Sequence, residues 1–111
     1  MNIKTIDYNS QTAKKDFFTS LHETGFAVIE NHPISKDDLN AIYSSWKNFF
    51  NSDKKNLWLR DPIKQDGYFP FKSENAKSSS YKDLKEFYHV YPWGKVPNEL
   101  ETITRKMYDE L

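Results

Sequence analysis

The sequence contains no cysteine, only three glycines and no excess of either charge, since 16 Lys and Arg balance 16 Asp and Glu over 111 residues. The missing thiols exclude disulfides and thiolate metal sites, and they leave the redox compartment undetermined. Balanced charge sets up no global field toward nucleic acid or anionic lipid, so neither is an expected partner. Gly25, Gly67 and Gly94 are dispersed turn residues, and no glycine-rich loop is available to cradle phosphate. No apolar run approaches the roughly 20 residues of a membrane-spanning helix, and Met1–Asn2–Ile3–Lys4 lacks the apolar stretch of a signal peptide. A soluble, cytoplasmic protein is the expectation.

What the chain has is rings. Three Trp, seven Tyr and eight Phe make up 16% of it, so the core must be built largely from aromatic side chains. Each buried Tyr hydroxyl and Trp N–H then needs a polar partner. A domain of this length buries only about two-thirds of its unfolded surface. Some rings should therefore face a partner or a further part of the chain.

Punctuation and periodicity place the elements. Ile3 to Tyr8 reads as an edge strand and Ala13 to Glu23 as a helix with an apolar stripe of Phe17, Leu21 and either Ala13 or Phe18. Gly25 ends that helix, and Phe26 to Ile29 reads as a short buried strand stopped by Asn31–His32–Pro33. Ser35 as N-cap, Asp38 three residues on and Ile34 as a staple on Leu39 start a helix from Lys36 to Phe50. Its stripe is Leu39, Ile42, Tyr43, Trp46, Phe49 and Phe50, more simply core than cofactor box. A short helix over Lys54 to Leu59, with Leu57 and Trp58 as its apolar contacts, follows a cap in Asn51–Ser52–Asp53. Asp66–Gly67 marks a turn into a very short strand at Tyr68–Phe69. Lys72 to Lys82 reads as a mobile loop, Asp83 to Tyr91 as a strand with rings on both faces, and Asn98 as the cap of a last helix bearing Leu100, Ile103, Met107 and Leu111. The abrupt ending on Leu111 suggests a segment cut from a longer chain.

The order of these parts carries a resemblance. The run Thr24 to Ile34 after an amphipathic helix, the long helix ending Trp46–Lys47–Asn48–Phe49–Phe50, then Gly67–Tyr68, then Asp83–Leu84–Lys85–Glu86–Phe87 with a following helix resembles the N-terminal region of the isopenicillin N synthase-like 2-oxoglutarate and Fe(II)-dependent dioxygenases over nearly the whole chain, residues 1–111. The resemblance implies an α+β fold: helices and short strands that pack on, and add strands to, a C-terminal double-stranded β-helix (jelly-roll) absent from this chain. It also implies Fe(II) and 2-oxoglutarate as cofactors of the full-length protein, a small organic substrate, and the chain's own barrel domain as partner. In the family, a His-x-Asp pair with a distal His holds iron, and an Arg-x-Ser pair with a Tyr holds 2-oxoglutarate. None of these is found here, because His22, His32 and His89 are followed by Glu23–Thr24, Pro33–Ile34 and Val90–Tyr91, and no Arg-x-Ser follows Arg60 or Arg105.

The residues taken singly agree. A two-His, one-carboxylate iron site needs three converging ligands, and the three histidines fall on a helix, a turn and a strand with no shared spacing. No spacing selects an acid pair among Glu23, Glu30 and Glu86 either. The segment is thus expected to have no catalytic residue, to bind no metal or cofactor, and to be inactive alone. Tyr68 is the one residue assigned to substrate contact, because the Gly-Tyr position in the resembled family can face the pocket mouth and a phenol both stacks and hydrogen-bonds. The alternative is a self-contained, non-catalytic α+β module that holds a protein partner through exposed rings.

Overall fold

The computed structural model describes residues 2–75 and 77–111, so Ala76, inside the expected loop, and Met1 lie outside the described residues. The chain divides into two compact units, Met1–Lys36 and Asp37–Leu111.

The first unit is a β–α–β turn of chain. Strand β1 (Thr5–Asp7) pairs in parallel with β2 (Val28–Glu30) in the register Thr5 to Val28, Ile6 to Ile29 and Asp7 to Glu30. Parallel neighbours need a crossover, and helix α1 (Ala13–Thr24) provides it. Gly25 ends α1 in the left-handed region at φ 78°, its N–H donating to the Leu21 carbonyl at 2.8 Å. Ser20, fully buried, ties the unit together: its hydroxyl accepts from the Lys4 N–H at 3.2 Å and donates to the Phe26 carbonyl at 2.7 Å.

The buried strand expected over Phe26 to Ile29 is not buried. Phe26 is 66% exposed and Val28 51%, and the stripe residues Phe17, Phe18 and Leu21 are exposed as well. Strands of three residues send a single side chain inward, and that one is Ile6, at 4% exposure. Two such strands and one helix cannot close a core by themselves.

In the second unit, helix α2 (Lys36–Phe50) leads through a 3-10 turn (Asp53–Trp58) to the antiparallel pair β3 (Gly67–Phe69) and β4 (Phe87–His89), and helix α3 (Asn98–Glu110) follows. The Ser52 hydroxyl caps the 3-10 turn by accepting from the Lys54 N–H at 3.2 Å. Phe49, Tyr68, Val96 and Leu100 form the core, with Trp46, Phe50, Trp58, Tyr88 and Val90 packed against it. Ring pairs meet edge-on, as the quadrupole favours: Trp46 and Phe49 at 5.4 Å and 75°, Phe49 and Tyr88 at 5.6 Å and 82°. Trp46 is only half-buried, and its indole N–H donates to the Thr104 hydroxyl at 3.0 Å, which joins α2 to α3.

Several boundaries differ from expectation for identifiable reasons. β4 covers three residues rather than nine because its partner β3 has only three before Pro70 ends the ladder. α3 begins at Asn98 with Pro97 in the cap position and no side-chain cap, so Asn98 is the first helical residue and not the cap. Leu57, Tyr43 and Leu111, expected on apolar stripes, are 81%, 75% and 91% exposed. The expected loop is tied at its base, where Lys72 N–H donates to Asp83 C=O at 3.1 Å and Asp83 N–H to Glu74 C=O at 2.7 Å, and no helix crosses its described residues. The fold class is α+β, with two small sheets and no closed barrel among the described residues.

Candidate functional site

The polar chemistry of the second unit gathers on the two faces of the β3–β4 pair. The register opposes Tyr68 to Tyr88, which places both with Glu86 and Val90 on the face toward α2, while Phe69, Phe87 and His89 occupy the other.

On the α2 face, Glu86 is the hub. One of its carboxylate oxygens accepts from the Tyr68 hydroxyl at 2.5 Å and from Lys55 Nζ at 3.0 Å, and Lys55 also donates to the Phe50 carbonyl at 2.8 Å. That last bond satisfies an end carbonyl of α2, where a cation is favoured. Tyr68 is 2% exposed, and the side chains of Lys55 and Glu86 are 21% and 16% exposed, so the phenol is withdrawn from water while the ion pair is only partly screened by it. Burial pushes the Glu86 carboxyl up, but hydrogen bonds from Tyr68 and Lys55 and the Lys55 charge outweigh it, and the group sits below its usual value. Burial, then the bond to Glu86, raises the Tyr68 phenol; the bond to Glu86 raises Lys55. Glu86 also lines an open groove of about 300 Å³ with Trp46, Phe50, Phe87, Tyr88 and Val90. Tyr88 donates to the Lys95 carbonyl at 2.7 Å, and burial pushes its phenol up to about 12.

The opposite face is a row of rings. Phe69, fully buried, stacks on Phe87 at 4.5 Å and 14° and meets His89 at 4.5 Å, and the row continues through Tyr91 to Trp93. The Arg60 guanidinium lies 4.6 Å from the Phe69 ring centre, and Lys85 Nζ 5.3 Å from that of Phe87. Arg60 is brought there by Gly67. At φ 113°, a Cβ on Gly67 would stand 2.8 Å from the Trp58 carbonyl oxygen and 3.0 Å from Arg60 Cα, so only glycine lets residues 58–60 run against β3. Arg60 N–H then donates to the Tyr68 carbonyl at 3.0 Å. Asp66, 5% exposed, accepts from the Lys95 N–H at 2.8 Å, making it a buried anchor as well as a turn residue.

The histidines stay apart in role. His22 is exposed on α1 beside Phe18, His32 is exposed in the turn after β2, and His89 Nδ1 lies 3.2 Å from the Gln65 carbonyl oxygen. Among the described residues no three His, Asp or Glu side chains converge as metal ligands. The described residues therefore do not fit an iron centre. The pairing of Lys55 with Glu86 has no signature in the sequence, since residues 31 positions apart share no periodicity. In the first unit, the groove of about 540 Å³ lined by Ile6, Tyr8, Phe17 and Ile29 among others is largely apolar and holds no ionic cluster.

A comparison with curated proteins gives no match. Among solved structures, the chain is similar to a Shewanella oneidensis protein described as a "putative oxygenase", at 42% sequence identity and a TM-score of 0.83, over 99% of this chain and 38% of that one. The chain thus spans well under half the length of that relative. A family model described as the N-terminal region of "non-haem dioxygenase in morphine synthesis" matches residues 3–108. The match across nearly all its length shows that the chain belongs to this family of non-haem dioxygenase N-terminal regions, the N-terminal extension of Fe(II)/2-oxoglutarate dioxygenases.

Proposed function

We propose that the chain is the N-terminal part of a longer, cytoplasmic Fe(II)/2-oxoglutarate-dependent dioxygenase that oxidises a small organic substrate, and that the iron and co-substrate are held by a C-terminal jelly-roll domain outside it. The family match over residues 3–108 carries this reading, and the 38% share of the similar Shewanella protein supports a longer whole. The exposed apolar surface of β2 and α1 supports a docking role for the first unit, since Phe26 and Val28 have no cover among the described residues. Bound iron and 2-oxoglutarate supply the oxidising chemistry in such enzymes. This segment supplies support for the barrel and part of the substrate entrance.

Within this reading Tyr68 bears on substrate together with Glu86. Its hydroxyl is committed to the carboxylate, and the carboxylate lines the groove beside Phe87 and Tyr88. Changing Tyr68 then shifts substrate preference by freeing Glu86 to move. The test is succinate formation from 2-oxoglutarate by the longer chain, with Fe(II) present and omitted. Metal-dependent succinate formation supports the proposal; its absence with correctly folded protein overturns it.

A further inference from the structure

Beside β3, the Arg60 guanidinium is held in place without a polar partner among the described residues, whereas Lys95 Nζ there donates to the Leu59 carbonyl at 2.7 Å. The carboxylates of Asp61, Asp66, Asp83 and Glu86 each have a partner other than Arg60: Asp61 accepts from the Ile63 and Lys64 N–H groups at 2.8 Å, Asp66 from Lys95 N–H at 2.8 Å, Glu86 from Tyr68 and Lys55, and Asp83 from Lys85 at 3.3 Å. Arg60 itself makes no ion pair and no side-chain hydrogen bond among the described residues, and it is half-buried. Its guanidinium is nevertheless positioned, 4.6 Å from the centre of a fully buried ring that Phe87 backs in parallel. His89 meets the same ring at 4.5 Å with Nδ1 turned to the Gln65 carbonyl, which leaves its Nε2 for a second polar contact.

A planar five-donor fork held against aromatic rings matches a carboxylate attached to a flat apolar body. The fork takes both oxygens, the rings take the body, and one imidazole nitrogen adds direction. We propose that Arg60 anchors a carboxylate of the substrate, with His89 and Phe87 as its neighbours in the site and Phe87, which also lines the Glu86 groove, joining the two, so that the substrate class is an aryl or similarly flat carboxylic acid. This deepens the dioxygenase reading and rests on it. An ion pair to an acidic side chain elsewhere in the protein explains the free fork alone; it gives no reason for the row of rings and the imidazole beside it.

The test uses the full-length protein under nitrogen with Fe(II) and 2-oxoglutarate, titrated by calorimetry with 3-phenylpropionate and with its primary amide. The acid should bind about tenfold or more tightly than the amide, as expected when a charge-assisted fork is lost. Arg60→Met should bring the two within about twofold and leave the affinity for 2-oxoglutarate unchanged; Arg60→Lys, which keeps the charge and the fold but not the fork, should fall between. Equal binding of acid and amide by the wild type, or a preference that survives in both variants, overturns the assignment. A loss of thermal stability in Arg60→Met with the preference intact gives Arg60 to an ion pair within the protein and also overturns it. Binding of neither acid nor amide by the wild type likewise overturns the assignment, and succinate formation measured on the same protein separates this failure from that of the dioxygenase reading, which fails when no metal-dependent succinate forms.

Discussion

Replacing Tyr68 with Phe removes one oxygen and little else. The ring keeps its place 6.2 Å from Phe49 and 6.3 Å from Phe50, so the packing contribution is retained. What goes is a 2.5 Å hydrogen bond to a mostly buried carboxylate. Hydrogen bonds to charged groups contribute about 1.5–3 kcal/mol, and because Glu86 keeps Lys55, we expect a loss of about 2 kcal/mol. In urea, with a slope of about 1–1.5 kcal/mol/M for a chain this small, the unfolding midpoint should fall by about 1.5 M. A double-mutant cycle with Glu86→Gln should return a coupling of about 1–2 kcal/mol. The pH dependence follows from the direction of each shift. Glu86 is depressed in the folded state, so its contribution is present above its usual value of 4.5 and disappears as pH falls through the lower folded value. Tyr68 and Lys55 are raised, so their contributions are complete below their usual values of 10.0 and 10.5 and disappear as pH rises through the folded ones. The cost of Tyr68→Phe should thus be constant near neutrality and shrink in acid. A loss under about 0.5 kcal/mol at pH 7, or no coupling to Glu86, refutes the network as a unit.

Gly67→Ala should cost about 2–4 kcal/mol from positive φ and the clash with the Trp58 carbonyl, whereas Gly25→Ala, with φ 78° but open space around it, should cost about 1 kcal/mol; equal losses in chemical denaturation contradict the close-approach argument. Ser20→Ala should destabilise the protein by about 1–2 kcal/mol, because the Lys4 N–H loses its acceptor and the Phe26 carbonyl one of two donors, keeping the Thr24 hydroxyl at 2.9 Å, and hydrogen exchange at Lys4 should quicken. Trp46→Ala should cost about 3 kcal/mol, at the low end for a large ring because Trp46 is half-buried, and a loss under about 1 kcal/mol removes it from the core.

Helical structure was the most legible part of the sequence. The three- and four-residue spacing from Leu39 to Phe50 marked α2, which runs from Lys36 to Phe50 as expected, and Gly25 marked the end of α1 within a residue. Strand burial was not legible. Phe26 to Ile29 is apolar enough for a core, yet apolar composition says nothing about whether the described chain covers that strand, and here it does not. The length of β4 was hidden in its partner, since a run of β-prone residues pairs only as far as β3 reaches. The candidate site divides in the same way. Gly67–Tyr68 stood out locally, but its contacts to Lys55, Glu86 and Arg60 join distant positions, and only the fold brings these together. Ser20 carried no signal at all, since a serine within a helix more often faces water than two backbone groups.

The central claim, that this chain belongs to an iron dioxygenase while holding no iron itself, is tested most directly by anaerobic calorimetry with Fe(II), with and without 2-oxoglutarate, on the 111-residue chain and on the longer chain that the proposal requires. The account predicts no specific binding by the short chain and stoichiometric, 2-oxoglutarate-enhanced binding by the long one. Stoichiometric, 2-oxoglutarate-enhanced binding by the short chain, or none by the long one, contradicts it.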